Sequence, residues 1–141
     1  MPGGNILANR LRRIVKTITF DGVTFGAIGS DTLFTVTGRV LVTHLSAFCS
    51  TSLTIAANGE LELGVAGNTA ALIAQIADAG DLVATEFWND ASPTDVLVAD
   101  AITDKLVASD ILLKTTTGAI SAGVIEFAMY WLPLSVDGNV A

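Results

Sequence analysis

The chain has few residues of the types that carry enzyme chemistry. It contains one histidine, His44, and one cysteine, Cys49. A zinc site within one chain needs three or four such ligands, and a Ser-His-Asp triad would have to use His44. Alternating residues around His44 predict a strand, so we interpret it as a core or interface histidine. The glycines form neither a phosphate-binding loop nor a dinucleotide-binding motif.

Carboxylates are the remaining groups with catalytic potential. Glu60 and Glu62 share one face of a predicted strand, and paired carboxylates can perform acid–base chemistry on sugars. Their alternation with leucines is typical of a solvated strand face, which we favour. Asp90 and Asp95 lie in a loop that could offer oxygen ligands to Ca²⁺, but their spacing favours turn formation. We therefore expect no cofactor, no metal site and no enzyme activity.

Aromatic residues are few, and two tryptophans are the ones that bear on function. Phe127 and Trp131 lie on one face of the last predicted strand, and Trp88 ends an earlier one. Packing in the core is the simplest role for such side chains. An exposed stripe that stacks on carbohydrate rings is the alternative.

The charges are distributed unevenly along the chain. Residues 1–16 contain four of the seven basic residues and no acid, whereas the rest holds all 14 acids and a net charge of −11. Four cations without interleaved aromatic residues make a poor specific nucleic-acid site. We expect this segment to lie against a neighbouring subunit or a larger shell, with apolar burial supplying most of the free energy. The interface candidates are Arg10, Leu11, Arg12, Arg13, Ile14 and Lys16.

The elements that must position these residues are mostly strands. The chain has 16 Thr, 13 Val and 11 Ile, residues that suit a pleated, half-buried surface. The spacing of about nine short strands predicts an all-β fold: an antiparallel β-sandwich or barrel-like (jelly-roll-like) domain with little helix. We predict a flexible basic N-terminal arm over residues 1–13 and a single β domain over residues 14–141.

Some local predictions are more specific. Asp21-Gly22 predicts a tight turn with a return strand over 23–25, and Asn58-Gly59 predicts a hairpin between strands 52–57 and 60–65. Residues 68–79 are ambiguous: they favour a short helix or irregular turn, with an extended segment under a loop as the alternative. Residues 100–108 allow one helical turn. The strand over 39–49 is apolar on both faces, which predicts that both are covered.

Composition also limits where the chain acts. The single cysteine excludes an intrachain disulfide and agrees with a reducing cytoplasm as the site of synthesis. Neither a signal peptide nor a membrane-spanning helix is predicted, so we expect no membrane partner. The mean hydropathy of +0.62 indicates more apolar surface than the core of one small domain easily buries. This surplus favours a homo-oligomer.

Three runs of the sequence, Thr35–Val42, Leu63–Ala74 and Trp131–Gly138, resemble small structural proteins of tailed bacteriophages, over about three quarters of the chain. The resemblance implies a non-enzymatic virion protein without an active site. It further implies a capsid decoration (cement) protein on the head surface, bound to the major capsid protein or another virion protein and forming a homo-oligomer, with a trimer expected from threefold lattice positions. The alternative is a head-fibre or tail-associated module that binds carbohydrate or a receptor. An enzyme that uses Glu60 and Glu62 ranks third.

Overall fold

A computed structural model describes residues 11–96 and 104–141, and within these ranges the chain forms ten strands, one 3₁₀ turn at Ala79–Asp81 and no α-helix. Sheet A has the strand order β1-β9-β4-β7, and sheet B has the order β2-β8-β5-β6. The strands of sheet A are β1 (Arg12–Thr19), β4 (Val40–Ile55), β7 (Lys105–Val107) and β9 (Ile120–Pro133). The strands of sheet B are β2 (Gly29–Phe34), β5 (Glu60–Val65), β6 (Asn68–Ile76) and β8 (Ile111–Thr116). A small third sheet pairs β3 (Val36–Thr37) with β10 (Asn139–Val140).

All neighbouring strands pair antiparallel, and successive strands along the chain mostly alternate between sheets A and B. Two four-stranded sheets connected in this way form a jelly roll. The prediction of an all-β, jelly-roll-like sandwich is therefore confirmed. The inward side chains of both sheets share one core, in which the rings of Trp88 and Phe127 meet edge to face at 6.4 Å.

The edge of β4 that faces away from β9 is not paired with one full-length strand. A short strand, β7, and an irregular segment cover it instead. β7 pairs only with residues 40–42 of β4. Further along, the Trp88 N–H donates to the Ala47 carbonyl at 2.9 Å, and the Cys49 N–H donates to the Glu86 carbonyl at 2.8 Å. The predicted strand over 82–88 is thus an irregular segment that satisfies the β4 edge, which would otherwise expose unpaired backbone groups. We call residues 78–95 the edge segment.

Several local predictions are wrong, and each fails for a tertiary reason. The Asn58-Gly59 turn exists, but it links β4 in sheet A to β5 in sheet B, so these strands do not form a hairpin. No return strand follows Gly22. Instead, the Asp21 carboxylate accepts hydrogen bonds from the backbone N–H groups of residues 23–25 and holds a loop, after which β2 begins in the other sheet.

The short helix or irregular turn favoured over 68–79 is wrong, and the extended alternative is the one found. The segment is strand β6 up to Ile76, because pairing with β5 satisfies its backbone and buries Leu72 and Ile73. Near residues 100–108 the described part is strand β7, and residues 97–103 lie outside the described residues. The final strand predicted over 120–132 is confirmed as β9.

The arm boundary also shifts. β1 begins at Arg12, so Arg12 and Arg13 belong to the domain and not to a flexible arm. The reason is register: the alternation that starts at Ile14 extends backwards, and Arg12 pairs with Trp131 of β9. Residues 1–10 of the predicted arm lie outside the described residues.

The long pairing of β4 with β9 contains bulges, and Gly123 makes one of them possible. Its φ is +115°, and it lies where the register shifts between Thr51 and Thr54. A Cβ at this position would be 2.8 Å from the backbone Cα of Leu53. Only glycine fits both the backbone angle and the close approach.

We expect Gly123→Ala to lower the free energy of unfolding by about 2–4 kcal/mol, since positive φ and overpacking each cost roughly 1–3 kcal/mol. Gly67→Ala is the matched control, because a Cβ there has nothing within 4 Å. We expect the control to change stability by less than about 1 kcal/mol. Urea unfolding followed by circular dichroism measures both variants, and equal stability of the two would contradict this role of Gly123.

Candidate binding face

The outer faces of the two sheets differ in chemistry. On sheet A, the side chains that point away from the core are mostly apolar or aromatic and half-exposed or exposed. We call this surface the apolar face. Its residues are Arg13, Val15, Thr17, Leu41, His44, Ser46, Phe48, Leu106, Val124, Glu126, Ala128, Tyr130 and Leu132.

A row of three polar-tipped side chains crosses the middle of the apolar face. Arg13 and His44 are the two register partners of Tyr130, one on each side of it. The Arg13 guanidinium lies 6.0 Å from the centre of the Tyr130 ring, and the His44 ring lies 6.2 Å from it. An aromatic ring flanked by a cation and an imidazole can stack on a flat ligand or pack against another protein.

Apolar side chains flank this row on both sides. Phe48 and Phe87 pack together with ring centres 5.1 Å apart. Towards the opposite end, Leu41 lies between Leu132 of β9 and Leu106 of β7 in the sheet register. Leu106 is 76% exposed, an unusual state for a leucine on a regular strand. A cluster of exposed apolar side chains of this kind is typical of an interaction surface.

The outer face of sheet B is polar. Glu62 is 8% exposed, accepts a hydrogen bond from the Thr69 hydroxyl and forms an ion pair with Lys114 at 3.6 Å. Glu60 accepts hydrogen bonds from the hydroxyls of Thr116 at 2.6 Å and Thr117 at 3.0 Å. These bonds hold the pKa of the Glu60 carboxyl below its usual value, with Thr116 contributing most. Both side chains point to the outer side of sheet B as predicted, but Glu62 is buried by Thr69 and Lys114, so the expected solvated face is wrong for Glu62. The geometry of the pair is that of a cross-strand network.

The predicted interface residues separate into two groups. Arg13 points outward onto the apolar face, and Leu11 is exposed just before β1. Arg10 lies outside the described residues. Among residues 11–16, the structure therefore places Arg13 in contact with Tyr130 at the centre of the apolar face.

Arg12, Ile14 and Lys16 lie on the inward side of β1, because they pair with buried residues of β9. Ile14 packs against the core, and the Lys16 ammonium donates to the Leu33 carbonyl at 2.8 Å. The prediction that these residues lie outside the domain's own core is wrong for Ile14 and Lys16. The same alternation that defines β1 directs every second side chain towards sheet B.

His44 belongs to the apolar face only because of a bulge. The alternation in the sequence places Val42 and His44 on one face, but the register shifts between them, so Val42 is buried and His44 points outward. The extra residue, Thr43, donates its hydroxyl to the Tyr130 carbonyl at 3.2 Å. Phe48 was missed as a site residue for the same reason, since no sequence signal marks the bulge. Tyr130 follows the regular alternation of β9, but alternation does not show which face of a sheet is covered.

The tryptophans do not form an exposed stripe. Trp88 is fully buried, and its indole N–H donates to the Ala74 carbonyl at 3.1 Å. Trp131 is 5% exposed and borders a cleft of about 480 Å³ that Arg12, Ser135 and Asn139 also line. Its indole Nε1 is buried without a hydrogen-bond partner in the described structure. A carbohydrate stacking on either indole face is therefore not supported by the exposure of the rings.

The remaining candidate groups have structural surroundings. Burial raises the pKa of the Cys49 thiol to about 11, which keeps it protonated at neutral pH. The Asp90 carboxylate accepts a hydrogen bond from the Ser92 N–H at 2.7 Å, which confirms the predicted turn role. Within residues 11–96 and 104–141, no three His, Cys, Asp or Glu side chains are grouped so that they could hold a metal ion. No helix in those ranges has the length and apolar character to cross a membrane.

Comparison with known proteins gives no relative. No protein family matches the chain, and no curated protein or solved structure has significant similarity to it.

We expect Glu60→Gln to destabilise the protein at pH 7 and to destabilise it less at pH 3. The pKa of Glu60 is lower in the folded than in the unfolded chain, so its stabilisation is present above the unfolded pKa and is lost as pH falls through the folded value. Urea unfolding at both pH values measures this. Glu126→Gln, exposed on sheet A, is the control and should change stability little at either pH. An equal loss at pH 3 and pH 7 for Glu60→Gln would contradict the network.

Proposed function

We propose that the chain is a non-enzymatic structural subunit of a tailed-phage virion, namely a capsid decoration protein. In this proposal it binds the head surface through the apolar face of sheet A and stabilises the shell through subunit contacts. The observation that carries the proposal is the contrast between the two outer faces. Sheet B presents a satisfied polar network, whereas sheet A presents an aromatic and aliphatic surface with two charged side chains, Arg13 and Glu126.

The dimensions of the apolar face support a protein partner. Its rows run from Val124 to Leu132 along β9 and cross β1, β9, β4 and the edge beyond β4. At about 3.3 Å per residue and about 4.8 Å per strand, this is roughly 30 Å by 19 Å. This footprint of roughly 500–600 Å² also contains the polar side chains of Thr17, Ser46 and Glu126, and the apolar side chains between them are of the kind that marks interaction surfaces. Covering it with another protein removes this surface from water, which favours association.

The shape of the surface supports the same conclusion. The apolar face is an open strand surface of half-exposed side chains, and such a surface suits a protein partner better than a small ligand, which binds in a concave pocket. Jelly rolls occur in viral capsid domains and in lectins, so the fold is compatible with the proposal without deciding it. The chemistry of the outer surface, and not the architecture of the fold, therefore supports the decoration role.

A fibre or tail module that binds carbohydrate or a receptor is the second candidate. The cleft beside Trp131 favours it, since a volume of about 480 Å³ is within the range of small-ligand pockets, and Arg12 and Asn139 supply polar groups. Glycan binding there would change the fluorescence of Trp131, whereas Trp88 lies away from the cleft in the core. A saturable fluorescence change with glycans, without binding to heads, would favour this candidate.

The test of the decoration proposal uses heads of the phage that encodes the chain, assembled without this protein. Purified chain is mixed with such heads and sedimented. We expect it to co-sediment and expect Ala128→Arg to bind at least about tenfold more weakly, because a charge at the centre of the face must be desolvated on docking. Thr32→Arg places the same charge on the outer face of sheet B and should bind as the unmodified chain does.

Failure of the unmodified chain to bind heads would contradict the proposal. Equal weakening by Ala128→Arg and Thr32→Arg would show that the apolar face is not the docking surface. Circular dichroism and thermal unfolding of each variant establish that it is folded, so that loss of binding is assigned to the surface.

A further inference from the structure

We propose that copies of this chain associate head to tail, with the β1 edge of one subunit bound to the edge segment of the next. The inference deepens the proposed function by naming the surface through which decoration subunits contact each other. It depends on the opposite charges at the two lateral edges of sheet A, which are the β1 edge and the edge segment. The occupant of each edge is a second copy of this chain.

One edge of sheet A is acidic. Residues 40–105 contain nine acidic residues and one base, Lys105, which lies on β7 beyond the edge segment. Five of these acids lie in the edge segment, which runs along the side of β4 opposite β9. They are Asp78, Asp81, Glu86, Asp90 and Asp95. Their common location gives this edge a strongly negative potential.

The opposite edge is basic. β1 is the outermost strand of sheet A on that side, and its only partner strand among the described residues is β9. Arg12 and Arg13 are exposed at its start and carry the charge of this edge, whereas Lys16 on the same strand is half-buried and donates to the Leu33 carbonyl. β1 contains no acidic residue. The two edges are three strand spacings apart, about 14 Å, so one sheet carries opposite charges at its ends.

Both edges also carry exposed apolar side chains that can be buried together. Leu11 and Val15 are exposed at the β1 edge. Val83 and Val96 are exposed in and beside the edge segment. Exposed ion pairs contribute about 0–1 kcal/mol each, so the charges set orientation and encounter rate while apolar burial supplies most of the free energy.

The charges favour a head-to-tail contact over a two-fold one. A two-fold contact of β1 with β1 would bring two arginine-bearing strands together, and a contact between two edge segments would bring ten acids together. A contact between unlike edges leaves one free edge of each kind, and such contacts form a closed ring when the rotation allows it. The trimer expected from the phage resemblance is one such ring.

Charge reversal at each edge tests the inference. The first variant is Arg12→Glu with Arg13→Glu, the second is Asp90→Lys with Asp95→Lys, and the third combines all four substitutions. Sedimentation velocity across concentrations measures self-association. We expect each double variant to self-associate at least about tenfold more weakly, because like charges then meet at the contact.

In the proposed contact, residues 12 and 13 of one subunit face residues 90 and 95 of the next. The combined variant exchanges these four signs together and should therefore recover self-association, while Lys16, Asp78, Asp81 and Glu86 keep their charges in every variant. An equimolar mixture of the two double variants should also associate, but only in even-numbered assemblies, because unlike variants must alternate. Ser30→Glu with Thr32→Glu and Ser30→Lys with Thr32→Lys are the controls on sheet B, and they should behave as the unmodified chain does.

A monomeric unmodified chain at all concentrations would overturn the inference, as would double variants that associate normally or a combined variant that stays monomeric while folded. Circular dichroism and thermal unfolding of each variant decide whether it is folded. Binding to heads is measured separately by co-sedimentation. A chain that binds heads as a monomer would therefore refute this contact and leave the proposed function standing. A chain that forms the ring but does not bind heads would refute the proposed function and leave this contact standing.

Discussion

The antiparallel pairing of β4 with β9 is the constraint on which the rest of the structure depends. These are the two longest strands, and they form the centre of sheet A. Their inward residues, including Ala47 and Phe127, form the sheet A side of the shared core. Their outward residues, including His44 and Tyr130, form the centre of the apolar face. A single pairing thus determines both the stability of the domain and the geometry of its proposed binding surface.

The bulges near the two ends of this pairing do different things to the strands. Near Gly123 the bulge bends the strands where Phe20 donates its N–H to the Gly123 carbonyl, which ties the loop after β1 to the sheet. Near Thr43 the bulge exchanges the faces, so that an imidazole points outward and a valine inward. Without this second bulge, the polar ring of His44 would be directed into an apolar core, which is costly unless its nitrogens are satisfied.

The contrast between the two outer faces shows where this apolar chain carries the apolar surface that its core does not bury. Sheet B satisfies its own surface through hydrogen bonds of Glu60 and Glu62 and through Lys114. Sheet A has no comparable network on its outer face among the described residues. Surplus apolar surface is therefore concentrated on one side, which directs association to that side and not to all of them.

Much of the fold could be predicted from the sequence, because β-branched composition and period-two alternation report directly on strands. Strand β9 and the outward direction of Glu60 and Glu62 were predictable on that basis. The helix expected at 68–79 was wrong because alanine-rich periodicity says nothing about the β5 edge that captures this segment. The apolar face itself could not be predicted, since its membership depends on the bulge at Thr43 and on the pairing of Arg13 with Tyr130, which are properties of tertiary register.

The most direct test of the central claim is hydroxyl-radical footprinting of the protein free in solution and attached to phage particles. The account predicts that Tyr130, Phe48 and Leu106 on sheet A become protected on the particle, while Leu112 on the outer face of sheet B keeps its reactivity. Protection at Leu112 with unchanged labelling of Tyr130, Phe48 and Leu106 would contradict it.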